Sequence, residues 1–189
     1  MTNFNSDELQ LIQNKLWFER KASAAFKTVT YLKEIDIQFK SEAEIPGLFK
    51  EVASKITRGE NLNGFPYFVL DLPKLAQEDD LLSYRIIIWW GNYITVNLLM
   101  GSNIYKNYKG KIKENLVQLK SSNFFIGMAK NHWQHELESD INYIPASTIN
   151  EEILDNLNIL KITSKHELTD LNNRHEIFHT IKLLNKLLE

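Results

Sequence analysis

Residues 84–99 read YRIIIWWGNYITVNLL, and how this stretch is divided decides the fold. As one strand it would run about 53 Å at ~3.3 Å per residue, too long for a chain of 189 residues. Gly91-Asn92 in its middle is a turn signal: glycine takes φ > 0 freely, asparagine tolerates it, and a two-residue primed turn needs both. The stretch therefore reads as a β-hairpin. A two-residue turn pairs Trp90 with Tyr93, Trp89 with Ile94 and Ile87 with Val96. Alternation then puts Arg85, Ile87, Trp89, Ile94, Val96 and Leu98 on one face and Tyr84, Ile86, Ile88, Trp90, Tyr93, Thr95, Asn97 and Leu99 on the other. The first face is expected to be core. The second, apolar with polar tips, is expected to lie beneath helices or a ligand.

Upstream, Ser6-Asp7-Glu8 opens a helix with a capping residue and acids in the first turn. Leu9, Ile12 and Leu16 follow at helical spacing, and Phe18, Ala22, Ala25, Val29 and Leu32 form a second stripe. The offset between the stripes predicts a bend or a change of packing partner near Trp17. A further helix is expected from Pro46, with Leu48, Val52 and Ile56 as its buried line and Arg58-Gly59 as its end. Residues 61–66 read as a loop, residues 67–72 as a strand stopped by Pro73, and Glu78-Asp79-Asp80 as part of a solvated connection into the hairpin.

Downstream, Gly101-Ser102-Asn103 ends the sheet and opens a helix lined by Tyr105, Tyr108, Ile112, Leu116 and Leu119, with a kink or late start expected at Gly110. Residues 124–129 read as a strand with Phe124, Ile126 and Met128 on one face. Thr148-x-x-Glu151 is a capping box for a short helix, residues 159–163 are a strand, and Ser164-x-x-Glu167 is a second capping box opening a C-terminal helix to about Leu188. The expectation is a single α+β domain over residues 1–189. Residues 1–60 are mainly helical, and residues 65–189 form an antiparallel sheet of four to five strands with the long C-terminal helix packed on it. The order of a proline-flanked strand, the hairpin Trp90-Gly91-Asn92-Tyr93, a helix, a strand and the amphipathic Phe178-x-x-x-Lys182-Leu183-Leu184 segment resembles the YktB-like family of bacterial proteins. The resemblance implies a similar α+β fold and no activity, that family having no assigned chemistry.

Composition narrows the function. The chain has no cysteine, which excludes disulfides, thiol catalysis and cysteine-ligated zinc or iron–sulfur sites. Its opening, MTNFNSDELQ, lacks the basic and apolar regions of a secretory signal, and no apolar run approaches the ~20 residues of a membrane span. The expectation is a cytoplasmic protein with no membrane contact, and a homo-oligomer is left open. The formal net charge of −2 argues against a general nucleic-acid surface.

His175-Glu176-Ile177-Phe178-His179 spells H-E-x-x-H. On a helix, two histidines at i and i+4 can hold zinc while the glutamate acts as base on the bound water. A catalytic zinc needs a third protein ligand, and none follows His179; it would have to come from His132, His135 or Glu136. The helix wheel also sets His175 and His179 beside Lys182 and Lys186, opposite Ile177, Ile181, Leu184 and Leu188, so a solvated pair is expected and no metal or other cofactor. Lys106, Lys109, Lys111 and Lys113 interleave with Tyr105 and Tyr108, a pattern that can grip nucleic-acid phosphates but reads first as the wet face of a helix. Asp71, Arg85 and Asn97 are polar residues in apolar strands. Arg85 wants a carboxylate, and the meander offers Asp71. Together with Trp90 and Tyr93 they form the candidate binding residues. The expectation is a non-catalytic binding or interaction protein of unassigned ligand, with a zinc-dependent hydrolase and a nucleic-acid-binding accessory as alternatives.

Overall fold

The computed structural model describes residues 3–42, 52–73, 78–129, 137 and 142–189. The helix start expected at Pro46 and Leu48 and the histidine group His132, His135 and Glu136 lie outside the described residues. Seven strands form one antiparallel sheet: β1 (Lys55–Leu62), β2 (Phe65–Leu72), β3 (Leu82–Trp89), β4 (Ile94–Met100), β5 (Phe124–Gly127), β6 (Tyr143–Pro145) and β7 (Leu160–His166). Their spatial order is β1-β2-β3-β4-β7-β5-β6. The helices are α1 (Ser6–Gln13), α2 (Lys15–Ser41), α3 (Ser102–Glu114), α4 (Leu116–Ser121), α5 (Glu151–Asn156) and α6 (Arg174–Lys186). The α+β class and the helices at both ends match expectation, and the sheet has more strands than expected. Among the described residues no helix is long and apolar enough to cross a membrane.

Two strands were hidden from periodicity. Ile56, Arg58 and Gly59 belong to β1, not to the end of a helix. Asn63 and Gly64 both take positive φ, 52° and 85°, and close a β1–β2 hairpin with Leu62 opposite Phe65. Gly59 is present because the Tyr67 ring lies where its Cβ would be. Pairing with β2 thus overrides the helical spacing at Ile56. At the other edge, β6 pairs with β5 over only three rungs.

The central hairpin forms, but one residue out of the expected register. Ile88 pairs with Ile94, Ile87 with Thr95 and Ile86 with Val96. Trp90, Gly91 and Asn92 make a three-residue loop, in which the Asn92 N–H donates to the Trp89 carbonyl at 3.1 Å and Gly91 sits at φ 75°, the third position of a type II turn. A slip of one residue moves a strand's side chains to the opposite face. Tyr84, Ile86 and Ile88 therefore join Ile94, Val96 and Leu98 in the main core, while Arg85, Ile87 and Trp89 lie with Tyr93, Thr95 and Asn97 on the second face.

The five helices after α1 contribute to the main core on one side of the sheet. In α2 the buried residues are Thr28, Tyr31, Leu32, Ile35 and Phe39, a 3.6-residue stripe that begins only halfway along. The N-terminal bend falls at Asn14, where α1 ends and the asparagine side chain caps α2 by accepting from the Trp17 N–H at 2.9 Å. Asn5, not Ser6, caps α1, in a capping box with Glu8. α3 runs through Gly110 from Ser102, and the break comes at Asn115. Asp79 and Asp80 accept from Ser102 Oγ (2.7 Å) and Asn103 Nδ2 (2.8 Å) at its N-terminal end, where acids are favoured. Neither later capping box forms as read. Asn150 caps α5, and Ser164 lies within β7.

The hairpin loop gives a stability test. A Cβ on Gly91 would sit 2.8 Å from Cδ1 of the Phe65 ring in addition to its positive φ. Gly91→Ala is expected to destabilise by more than the ~1–2 kcal/mol of a left-handed alanine. Adding Phe65→Ala should recover the excess but not that remainder, as read by urea unfolding of the four proteins of the cycle.

Candidate functional site

The second face of the sheet carries a polar rung. Asp71 on β2 pairs with Arg85 on β3, Arg85 with Asn97 on β4, and Asn97 with Thr163 on β7. Because antiparallel neighbours face one another on one surface, four strands deliver four polar side chains in a line. Arg85 donates to both Asp71 oxygens, Nε at 2.6 Å and Nη2 at 3.2 Å, the planar fork that favours arginine over lysine. Asn97 Nδ2 donates to the Arg85 carbonyl (2.9 Å) and to Thr95 Oγ1 (3.0 Å). Thr163 Oγ1 donates to Asn97 Oδ1 at 2.8 Å. All four residues are buried.

Two cations flank the rung from β7. Lys161, opposite Leu99, is buried with its ammonium 5.3 Å from the Tyr143 ring centre. Its amine is pushed down to about 7, by burial first and by the Arg85 guanidinium second. Burial likewise pushes the Tyr143 hydroxyl up, opposed by its hydrogen bond with the Thr163 side chain. Lys165 stands 4.6 Å over the Tyr93 ring. Tyr93 meets Trp89 edge-on at 5.4 Å, and its hydroxyl accepts from the Leu137 N–H at 3.2 Å. Here Leu62, Ile87, Trp89, Tyr93 and Thr95 close on one another and leave no space for a water molecule.

Trp90 lies elsewhere. In the loop, it turns to the helix side, tilts against Phe68 at 5.1 Å and is half-buried. It floors two clefts, one on each side of Ala24 in α2. One, about 460 Å³, runs past Phe26, Thr28, Tyr31 and Leu171. The other, about 520 Å³, runs past Trp17, Arg20, Lys21, Glu60 and Pro66. Both fall in the size range of ligand sites. The buried Tyr31 hydroxyl has no hydrogen-bond partner among the described residues; burial pushes it up to about 12, against the opposing Arg174 charge. The expected binding residues therefore divide. Asp71, Arg85, Tyr93 and Asn97 share the second face, and Trp90 belongs to the clefts.

His175 and His179 are exposed on α6, their rings stacked 6.1 Å apart at 7°. The buried side of that helix carries Ile177, Phe178, Thr180, Ile181, Leu184 and Asn185. Glu176 accepts from Asn173 Nδ2 at 3.4 Å. Among the described residues no three histidine, aspartate or glutamate side chains gather around one point. On α3, Lys109 donates to the Asp155 carbonyl, Lys111 to the Leu188 carbonyl, and Lys113 to the Asp155 carboxylate. Tyr105 is buried, its hydroxyl on the Leu154 carbonyl at 2.8 Å. Of the α3 lysines, Lys109, Lys111 and Lys113 fasten the helix to its neighbours.

Lys161, Thr163, Lys165 and Tyr143 escaped the sequence reading, as did Ala24, Phe26 and Tyr31. The first three were legible in principle, because Leu160-Lys161-Ile162-Thr163-Ser164-Lys165 alternates as a half-buried strand does.

The polar rung makes two predictions. Asp71→Ala leaves Arg85 buried without this carboxylate, and should destabilise by about 3–5 kcal/mol. Asp71→Leu with Arg85→Met should cost less than Asp71→Ala alone, as measured by denaturant midpoints. The second concerns pH. The unfolded Lys161 keeps a value near 10.5 while the folded one lies near 7, so between these values the unfolded state holds more protons and stability rises with pH. The melting temperature should climb from pH 7 to about 9.5, and Lys161→Met should remove the climb. Above pH 10 the buried Tyr31, Tyr84, Tyr105 and Tyr143, all raised by burial, reverse the trend because the unfolded tyrosines ionise first. No protein-family model, no curated protein and no solved structure matches this chain.

Proposed function

We propose that this chain is a non-catalytic binding protein, and that its ligand contact is the pair of clefts floored by Trp90. The observation that carries the reading is the exposed apolar surface gathered there. Trp17 and Phe26, 40% and 74% exposed on α2, each line one of the clefts, and half-buried Trp90 lines both. Monomeric proteins seldom leave large contiguous apolar patches uncovered unless they bind something. The clefts offer aromatic walls, small Ala24 between them and one buried hydroxyl, Tyr31, with no partner among the described residues. That inventory suits an apolar or aromatic group with few polar atoms.

The polar rung has a different part. Its groups are satisfied by one another, and such a network fixes a unique arrangement of strands. It holds the β1–β2 and β3–β4 hairpin ends in place, and those ends supply Gly64, Pro66 and Trp90 to the clefts.

The test uses anilinonaphthalene sulfonate, an apolar fluorescent probe, with dilute protein. Probe binding is expected to weaken at least tenfold, about 1.4 kcal/mol, in Trp90→Ala and in Ala24→Arg, and to be unchanged in Val117→Ala, an exposed apolar residue on α4. Equal binding by all four folded proteins would overturn the reading.

A further inference from the structure

The helix α1 is the least explained element of the chain. None of its residues is buried, and Leu9, Leu11 and Ile12 are 43–54% exposed. A helix of eight residues is marginal in water without packing, so its apolar side calls for a partner surface. At about 100° per residue, Leu9 and Ile12 stand about 60° apart and Leu11 about 100° beyond Ile12. Glu8 falls inside this arc and Asp7 at its margin, while Ser6, Gln10 and Gln13 occupy the opposite side. α1 thus presents one face that is apolar and acidic together.

The Trp17–Trp90 cleft is the complement. Trp17, Ala24, Pro66 and Trp90 supply apolar walls, and Arg20 and Lys21 stand at its rim. Glu60, the one acid there, is already paired with Lys21 at 2.6 Å. The α1 of the same chain cannot turn back into this cleft. Only Asn14 separates it from α2, whereas two antiparallel helices need a connection of about 2–5 residues, and Asn14 is committed to capping α2.

We propose that the occupant is α1 of a second copy of this chain, each copy receiving the other's α1 in a reciprocal, two-fold contact. Such an exchange is isologous and closes at two subunits. Leu9, Leu11 and Ile12 enter between Trp17 and Trp90, and Asp7, at the margin of the apolar arc, meets Arg20 at the rim. The inference rests on the reading of the clefts as the ligand contact and names what fills one of them.

Sedimentation equilibrium over a concentration series tests it. The chain, 22.1 kDa, is expected to sediment at twice that mass and to return to monomer in Leu9→Asp/Ile12→Asp, whose exposed sites leave the fold intact by circular dichroism. Asp7→Arg should weaken the dimer at least tenfold, and Asp7→Arg with Arg20→Asp should restore it. Probe uptake per chain should fall as the dimer forms. A monomer at every concentration up to about 100 μM, or a dimer indifferent to the α1 substitutions, would overturn the proposal. If probe binding still depended on Trp90 in that case, the clefts would stand as a site for another ligand; if it did not, both readings would fail together.

Discussion

The Arg85–Asp71 fork is the interaction on which the register of the sheet depends. A hairpin of isoleucines and tryptophans has apolar side chains on both faces, so hydrophobicity distinguishes poorly between registers one residue apart. An arginine does distinguish them. In the observed register Arg85 meets Asp71 across one strand boundary and Asn97 across the other. A slip of β3 would carry Arg85 into the helix-covered core among Leu70, Val96 and Leu98 of the flanking strands, away from its carboxylate, at a penalty of several kcal/mol.

This explains what could and could not be read from residue order. The hairpin at Gly91-Asn92, the bend before Trp17, the buried side of α6 and the Asp71–Arg85 pair are local or nearest-neighbour features, and each was legible. The assignment of faces was not, because it hung on whether the loop held two residues or three, and Gly91-Asn92 is compatible with both. The first strand was missed for a related reason. Ile56 fits a helical stripe and a strand equally well, and Arg58-Gly59 looks like a helix end until Tyr67 arrives from the next strand to claim the space beside the glycine. Asn63-Gly64 was the better signal, as asparagine followed by glycine is the strongest two-residue hairpin cue. The clefts could not be read at all, since they join α2 to two hairpin ends distant in sequence.

The two faces of the sheet divide the work accordingly. The second face, built around the polar rung, is closed: Trp89 and Tyr93 pack edge-on, Lys165 lies over Tyr93, and no water-sized space remains beneath them. Its polar groups are occupied with one another, which suits them to specifying the fold. The helix-side face is closed over its centre by the main core and opens at the margin where Trp90 lies. There apolar surface predominates, with Trp17, Phe26, Leu171 and Trp90 among the lining residues.

The opening at that margin follows from a mismatch of lengths. α2 has 27 residues and spans about 40 Å at 1.5 Å per residue. The strands beneath it have at most eight residues and span about 26 Å. Seven strands at about 4.8 Å spacing make a sheet only about 29 Å wide. Measured along the strands or across them, α2 is longer than the sheet beneath it. Its C-terminal half takes the core, with Leu32, Ile35 and Phe39 fully buried, and its N-terminal half overhangs with Leu16, Trp17 and Phe18 in the open. A helix meant only to cover the sheet would end where the sheet does, or would turn polar beyond it. This one stays apolar past the edge and places Ala24, its small residue, directly beside Trp90, so that the overhang and the hairpin ends enclose space instead of filling it.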